Sequence, residues 1–371
     1  LVFSEFIRQN DFLTFGKLRA SYAVNGNDAP PHRTDAYVET YDGINGGFKY
    51  DFFAGNPNLK PEFTYTREIG MDLQLFNGSL GIDFAYYNMV TEDIIIRSRV
   101  SPASGWVQLF FNAGTLQNQG MELVLDYDLP GNLFNDSDFS WNIMANASGN
   151  RSKVIELPSF VSRLPVTSGQ VISAAKPTSL LNEPLFALEG IPHLYNEFGQ
   201  LVLDEDGRPR FGNYIKDNDG NYELNPDGSR KIDGTSVYLG NREPRVIIGI
   251  TNTLDYKNFN LSFLFDIRVG GVVLNAAEAS MIGNGSAGYL EEYRNRTTFF
   301  EGVIETEEGF EENTQETILD QSFFNNYIGI GSNFVEDASW TRLRYVTLRY
   351  NLPESWASRI GSKNLSFSVT G

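Results

Sequence analysis

Apolar and polar residues alternate along long stretches of this chain. In residues 68–75 every second residue is apolar, and the same pattern resumes in residues 80–86, after the pair Asn77-Gly78. Successive side chains of a strand point to opposite faces, so a period of two predicts a sheet with one apolar and one wet face. Asn-Gly is the preferred pair of a two-residue type I′ hairpin. We therefore predict two long strands joined by such a turn.

The alternation recurs often enough to define the fold class. It is clear in residues 17–24, 121–128, 141–148 and 259–269, and less regular in 246–254 and 340–350. We count roughly ten strands, with one or two more ambiguous ones in 165–195. Strands of about ten residues fit a transmembrane barrel, whereas soluble sandwiches use strands nearer five or six residues. The prediction is an all-β fold, a transmembrane antiparallel up-and-down β-barrel.

The connections between these strands alternate in length. Short links are predicted at Asn77-Gly78 and Lys257-Asn258, and moderate ones near 130–138 and 353–363. Long links are predicted at about 25–62, 91–118, 150–240 and 270–338. Outer-membrane barrels have short periplasmic turns and long extracellular loops. Long loops are also usually functional, so four at one end predict a ligand-handling surface.

Composition narrows the function classes. The 371 residues carry a formal net charge of -18 and no cysteine. The acidic balance argues against a nucleic-acid partner, because phosphate contacts need clusters of Lys and Arg. His32 and His193 are the only histidines, which argues against a zinc site or a Ser-His-Asp site. Adjacent acids such as Glu311-Glu312 fit solvated loops better than a glycosidase pair, so we predict that the chain is not an enzyme.

Six phrases, in order along the chain, resemble those of one family. They are KLRASY at 17–22 with NGN at 25–27, NPNLKPE at 56–62 with EIG at 68–70, NAG at 112–114 with NQGMEL at 118–123, LGN at 239–241 before Pro244, GG at 270–271, and ASWTRLR at 338–344 with LRYNLP at 348–353. The chain thereby resembles the SusC-like (SusC/RagA family) TonB-dependent outer-membrane receptors of Bacteroidota, in the C-terminal part of their barrel.

The resemblance implies that residues 1–371 are part of a 22-stranded barrel in the outer membrane, with the plug domain and the last strands outside this sequence. It also implies outer-membrane import of oligosaccharides or peptides. The implied partners are a SusD-like surface lipoprotein acting as a lid, the TonB–ExbB–ExbD complex acting through the N-terminal part, outer-membrane lipid, and the cargo itself. No cofactor is implied.

Seven residues are candidates for substrate contact. The water-facing members are Asp72, Asp83, Glu122, Asp266 and Arg268, and the aromatic loop members are Tyr41 and Trp106. The polar residues could contact cargo or the plug, or simply form the polar wall that water requires. The aromatic residues could stack on sugar rings or contact a lid, or simply pack the loops.

Residues 204–228 contain three Asp-rich fragments that resemble parts of calcium loops: DEDG at 204–207, DNDG at 217–220 and NPDG at 225–228. None has the full spacing of such a loop with a downstream glutamate. Asp-Gly pairs also make tight turns, which is the simpler interpretation, with Ca²⁺ binding in 204–228 as the alternative.

Two other functions are compatible with the same pattern. A siderophore or cobalamin receptor would share the barrel without the lid. A soluble, secreted β-rich glycan-binding or adhesion protein would bury its apolar stripes between two sheets, with shorter strands.

Overall fold

The computed structural model describes residues 2–3, 12–40, 46–129, 138–159, 161, 163–165, 175–306 and 308–371. Its main feature is one antiparallel sheet, which contains nine strands in the described part of the chain. They are β1 (Leu13–Asn27), β2 (Glu62–Leu75), β3 (Leu80–Glu92), β4 (Thr115–Leu129), β5 (Phe139–Glu156), β6 (Val246–Tyr256), β7 (Phe259–Val269), β8 (Trp340–Asn351) and β9 (Ser366–Thr370). Each pairs with its neighbours in the sequence, and the sheet is open from β1 to β9 within the described residues. The up-and-down topology is thus confirmed as part of a barrel wall.

The register keeps the predicted polar residues on one face. Lys17 of β1 lies opposite Asp72 of β2, and Asp72 lies opposite Asp83 of β3. Farther along the sheet, Gly249 of β6 lies opposite Asp266 of β7. Directly opposed residues share a face, so the acids predicted to meet water do lie together.

The other face of the sheet is apolar. Its large side chains remain exposed in the described part of the chain. They include Leu18, Tyr22, Val24, Ile69, Met121, Phe259, Phe265, Leu343 and Leu348. A continuous apolar surface of this kind suits lipid, whereas a soluble sandwich would cover it with a second sheet.

The hairpin between β2 and β3 differs from the prediction. Leu75 pairs with Leu80, so the connection has four residues and the predicted two-residue loop is wrong. Asn77 and Gly78 do form the centre of a tight turn, closed by the Ser79 N–H, which donates to Phe76 O at 3.1 Å. Phe76 and Asn77 both have positive φ, as does Gly78. The Phe76 N–H donates to Phe12 O at 2.9 Å, and the two rings meet edge to face at 5.3 Å. Phe76 therefore leaves the ladder to contact Phe12.

The long connections all lie at one end of the sheet, as predicted. They are residues 28–61, 93–114, 157–245 and 270–339, while residues 76–79, 257–258, 130–138 and 352–365 connect strands at the other end. The strands expected in 165–195 lie outside the barrel wall. Arg163–Pro165, Ala175–Leu180 and Ala187–Gly190 form a separate sheet with Val237–Asn241.

The long loops have secondary structure of their own. The remaining short strands are Val38–Thr40, Phe48–Tyr50, Phe53–Ala54, Ile95–Arg99, Gln108–Asn112, Val202–Leu203, Asn213–Tyr214, Ile232–Asp233, Val272–Leu274, Thr297–Phe299, Val303–Thr306, Gly309–Glu312, Glu316–Ile318 and Val335–Asp337. The helices are α1 (Ala276–Gly283), α2 (Leu290–Tyr293), α3 (Gln321–Tyr327) and α4 (Glu354–Ala357), with 3₁₀ turns at Pro102–Ser104, Gly331–Phe334 and Ser358–Ile360. Among the described residues, no helix is both long enough and apolar enough to cross a bilayer.

Small apolar cores hold these loops. One is formed by Ala279, Ile282, Ala287, Leu290 and Phe334, and another by Leu194, Val202 and Val303. The second core joins the loop before β6 to the loop before β8. The outer end of the sheet therefore carries packed structure that presents a defined surface.

Candidate functional site

An ion-pair cluster occupies the polar face across β1, β2 and β3. The Arg19 guanidinium lies 3.1 Å from Asp72 Oδ1 and 2.7 Å from Asp83 Oδ1. Lys17 Nζ lies 3.6 Å from Asp72 Oδ2. Gly70 faces Arg19 in the register, and a Cβ there would lie 2.9 Å from Arg19 Nε. The structure thus brings Asp72 and Asp83 together on the predicted polar face, and both are neutralised by cations from β1.

A second cluster surrounds Asp266 on β7. Its Oδ2 accepts from Arg342 Nη2 at 2.7 Å and Nε at 3.1 Å, and from Arg344 Nη1 at 3.4 Å. One residue separates the two arginines, so both side chains lie on the same face of β8 as Asp266. The β7–β8 register shifts next to them, between Leu264 and Phe265. Sequence reasoning missed the arginine partners, since alternation within one strand does not give its register with another.

The remaining polar candidates have different surroundings. Arg268 Nη2 donates to Arg242 O at 2.8 Å and so fixes the chain entering β6. Glu122 is exposed on β4, opposite Ala85 of β3 and Ser148 of β5. Substrate contact by these polar residues stays a prediction.

The aromatic candidate Trp106 lies in the loop between β3 and β4. Its ring packs against Tyr50, with 4.7 Å between centroids, and so joins the first two long loops. This contact supports the loop-packing interpretation. Tyr41 lies outside the described residues.

A cation–π contact reinforces the same pair of loops. The Arg33 guanidinium lies 4.1 Å from the centroid of the Phe53 ring and 5.6 Å from that of Phe110. Arg33 Nη1 also lies 3.4 Å from Asp51 Oδ2. Desolvation of Asp51 acts to raise the pKa of its carboxyl, but backbone N–H groups, Tyr37 and Arg33 outweigh it, and that pKa lies below its ordinary value.

The Asp-rich fragments of residues 204–228 form turns. Asp204 Oδ1 accepts from the N–H groups of Asp206 and Arg208, and Asp217 Oδ1 accepts from those of Asp219 and Asn221. The backbone N–H of Asn221 is the main cause of the lowered pKa of the Asp217 carboxyl. Within the described residues, no group of three or more His, Cys, Asp or Glu side chains is arranged to hold a metal ion. The contacts support the turn interpretation, and calcium binding stays a prediction.

Two further contacts escaped the sequence reasoning. The fully buried Glu189 carboxylate meets Arg163 Nη1 at 2.7 Å and Lys176 Nζ at 3.1 Å. His193 Nε2 lies 2.7 Å from Asn333 Oδ1 and so links the loop before β6 to the loop before β8. No periodic pattern in the sequence predicts either contact, because both join irregular segments.

The chain is similar to known proteins along most of its length. The family model "TonB dependent receptor-like, beta-barrel" matches residues 9–172. TonB-dependent receptor P3 of Formosa agariphila is 28% identical over 99% of this chain, and SusC of Bacteroides thetaiotaomicron is 23% identical over 82% of it. The solved RagAB peptide importer in its closed-closed state matches 100% of this chain and 38% of its own, with a TM-score of 0.68 and 18% identity.

The fold and these matches define the class: the chain is a partial β-barrel wall of an outer-membrane protein. More particularly, its residues 9–172 match the TonB-dependent receptor β-barrel, and the chain resembles SusC and RagAB. The chain spans 35% of the length of receptor P3 and 28% of SusC. The proteins named here are receptors or importers, which confirms the expectation that the chain is not an enzyme.

Proposed function

We propose that the complete receptor imports oligosaccharides or peptides across the outer membrane, driven by TonB, beneath a SusD-like surface lipoprotein that closes over its outer loops. The observation that carries this proposal is the position of the four long loops, at one end of a wall with one polar and one apolar face.

The polar face supports a water-filled path. Charged groups such as Arg19, Asp72, Asp83 and Asp266 are costly on a lipid-facing surface but ordinary on a lumen wall. Lys17 and Arg19 balance the charges of Asp72 and Asp83, whereas Arg342 and Arg344 leave one positive charge in excess at Asp266. A wall of this kind admits cargo, whereas the choice of cargo falls to the loops and to the plug.

The loops support a docked partner. They carry their own apolar cores, so they present a fixed shape to whatever binds there. Preorganised surfaces bind with a smaller entropic cost than surfaces that must order on contact. A lid that opens and closes over a rigid rim fits this arrangement.

The test is recovery of the tagged, full-length receptor from outer membranes in mild detergent. We expect a stoichiometric surface lipoprotein to co-purify, together with trapped cargo that names the substrate class. The matched variant replaces residues 276–334 by a short Gly-Ser linker, which keeps β7 and β8, and we expect it to insert but to lose the lipoprotein. Recovery of the native receptor alone would contradict the lid and favour a lidless receptor.

A further inference from the structure

A cavity of about 790 Å³ lies in the outer loops. Its base is a small sheet formed by Phe53–Ala54 with Gln108–Asn112 and Ile95–Arg99. The side wall includes Lys60 and Arg163. Three separate parts of the chain thus converge on one space of ligand size.

The floor of this cavity is mainly apolar. Ile96 lies opposite Phe111 and Ser98 opposite Leu109, and all four line the cavity from one face of the small sheet. Arg97 and Arg99 alternate with Ile96 and Ser98. Arg99, at the end of the strand, still lines the cavity, whereas Arg97 is not part of the lining. The floor therefore offers an aromatic and aliphatic surface to a sugar ring or to an aliphatic side chain.

The rim of the cavity is cationic in a strongly acidic chain. Lys60, Arg99 and Arg163 line it, against the single carboxylate of Asp93. Among the described residues, Lys60 and Arg99 form no salt bridge, and both are exposed. By contrast, the cavity of about 490 Å³ beside residues 204–206 is lined by four carboxylates and one arginine.

Buried structure fixes two parts of this rim. Glu189 is wholly buried and holds Arg163 at 2.7 Å, while Lys176 shares the same carboxylate oxygen at 3.1 Å. Two cations on one carboxylate leave one positive charge in excess. On the other side, the Asn112 side chain holds the backbone of Lys60. Its Oδ1 accepts from the Lys60 N–H and its Nδ2 donates to Lys60 O, at 2.9 Å each.

We infer that this cavity binds a carboxylate-bearing unit of the cargo, whose apolar part lies on the Phe111 floor and whose acid lies between Lys60, Arg99 and Arg163. The inference rests on the proposed import function, since it names the chemistry of the substrate. Cationic groups that converge on a concave, partly apolar site strengthen attraction to an anion, because the low-dielectric walls reduce screening. Guanidinium groups also match carboxylate geometry.

Binding to the purified full-length receptor in detergent tests the inference without import. The probes are tetragalacturonate and its methyl ester, and the hexapeptide Gly-Glu-Gly-Glu-Gly-Glu and its Gln counterpart, measured by titration calorimetry. We expect the acidic member of one pair to bind about tenfold more tightly than its neutral partner, with the preference falling as salt rises. The pair that shows the preference identifies the source of the carboxylate.

Variants locate the binding to this cavity. The double variant Lys60→Gln, Arg99→Gln leaves no buried charge unpaired, and we expect it to abolish the preference for the acidic probe. The matched control is Arg97→Gln on the same strand, whose side chain is not part of the cavity lining, and we expect it to change affinity by less than about twofold. Heat-modifiable migration in gels confirms that each variant barrel is folded.

Equal binding of acidic and neutral probes, or binding of neither acidic probe, overturns the inference. An equal effect of Arg97→Gln and the double variant overturns it as well. The import proposal fails separately. If the receptor prefers the acidic probe but no lipoprotein co-purifies with it, only the proposed lid is refuted. If the lipoprotein co-purifies but the acidic probe is not preferred, only the proposed carboxylate site in the cavity is refuted.

Discussion

Arg342 donates to Asp266 Oδ2 through two guanidinium nitrogens, at 2.7 and 3.1 Å, across the β7–β8 pair. Arg344 reaches the same oxygen at 3.4 Å, because one residue separates it from Arg342 and alternate residues of a strand share a face. The register of β7 and β8 shifts next to this contact, between Leu264 and Phe265. The Asp266 side chain is only 11% exposed, so its charge depends on these partners more than an exposed acid would.

Replacing Asp266 by Asn will destabilise the barrel. The amide keeps the shape but leaves the Arg342 and Arg344 guanidinium groups beside each other without a counter-charge. We expect a loss on the order of 1–3 kcal/mol, the range for hydrogen bonds to charged groups. The measurement is the midpoint of heat-induced unfolding, followed by gel migration. Asp255→Asn, at the exposed end of β6, is the control, expected to stay within about 0.5 kcal/mol of the native barrel.

The region in which His193 contacts Asn333 will be less stable in acid. Burial lowers the pKa of His193 below its ordinary value, and the hydrogen bond to Asn333 opposes this only in part. Because the folded pKa is depressed, the stabilisation is complete above the ordinary pKa of about 6.5 and falls as the pH drops below it towards the folded pKa. Hydrogen exchange near residues 193 and 333 will therefore speed up between pH 7.5 and 5.5, beyond the intrinsic pH effect.

His193→Gln separates titration from geometry. Glutamine can still donate to Asn333 Oδ1, but it does not titrate in this range. We expect the pH dependence of exchange around these two residues to disappear in the variant. If it persists, another group is responsible for the acid response.

Gly114 will not tolerate a side chain. Its φ is +102°, and a Cβ would lie 2.1 Å from Glu156 O at the entry to β4. The backbone there is unfavourable for any other residue, so we expect Gly114→Ala to cost at least about 1–3 kcal/mol. Gly81→Ala on β3 is the control, because its Cβ would meet only Asp126, at 3.7 Å or beyond. Equal unfolding midpoints for the two variants would refute the strain.

Much of the wall was predictable because its physics is local and periodic. Alternation places Asp72 and Asp83 on the polar face independently of the distant strands. Because successive strands are antiparallel, every second connection, and so every long loop, lies at one end. The resemblance at residues 17–22 and 338–344 agrees with the family of the matched receptors. Gly114, part of the NAG phrase at 112–114, has both a positive φ and a close backbone neighbour.

The candidate site was less predictable because it depends on irregular structure. The pairing of Glu189 with Arg163 spans 26 residues of loop, and no spacing rule connects them. The packing of Trp106 on Tyr50 likewise joins two separate loops. The connection at residues 76–79 keeps the tight turn at Asn77-Gly78, but the ladder ends before Phe76, whose ring contacts Phe12. Such contacts depend on tertiary packing, which cannot be predicted from the alternation of apolar and polar residues.

The central claim is that one face of this sheet meets lipid and the other meets water. Nitroxide scanning of β7, one single-cysteine variant at a time in the full-length receptor in bilayers, tests it most directly, and this chain contributes no native cysteine. We predict high oxygen accessibility at Leu261, Phe263, Phe265 and Ile267, and access by a water-soluble nickel reagent at Asn260, Ser262 and Asp266. Uniform protection along β7, or the opposite alternation, would contradict the account.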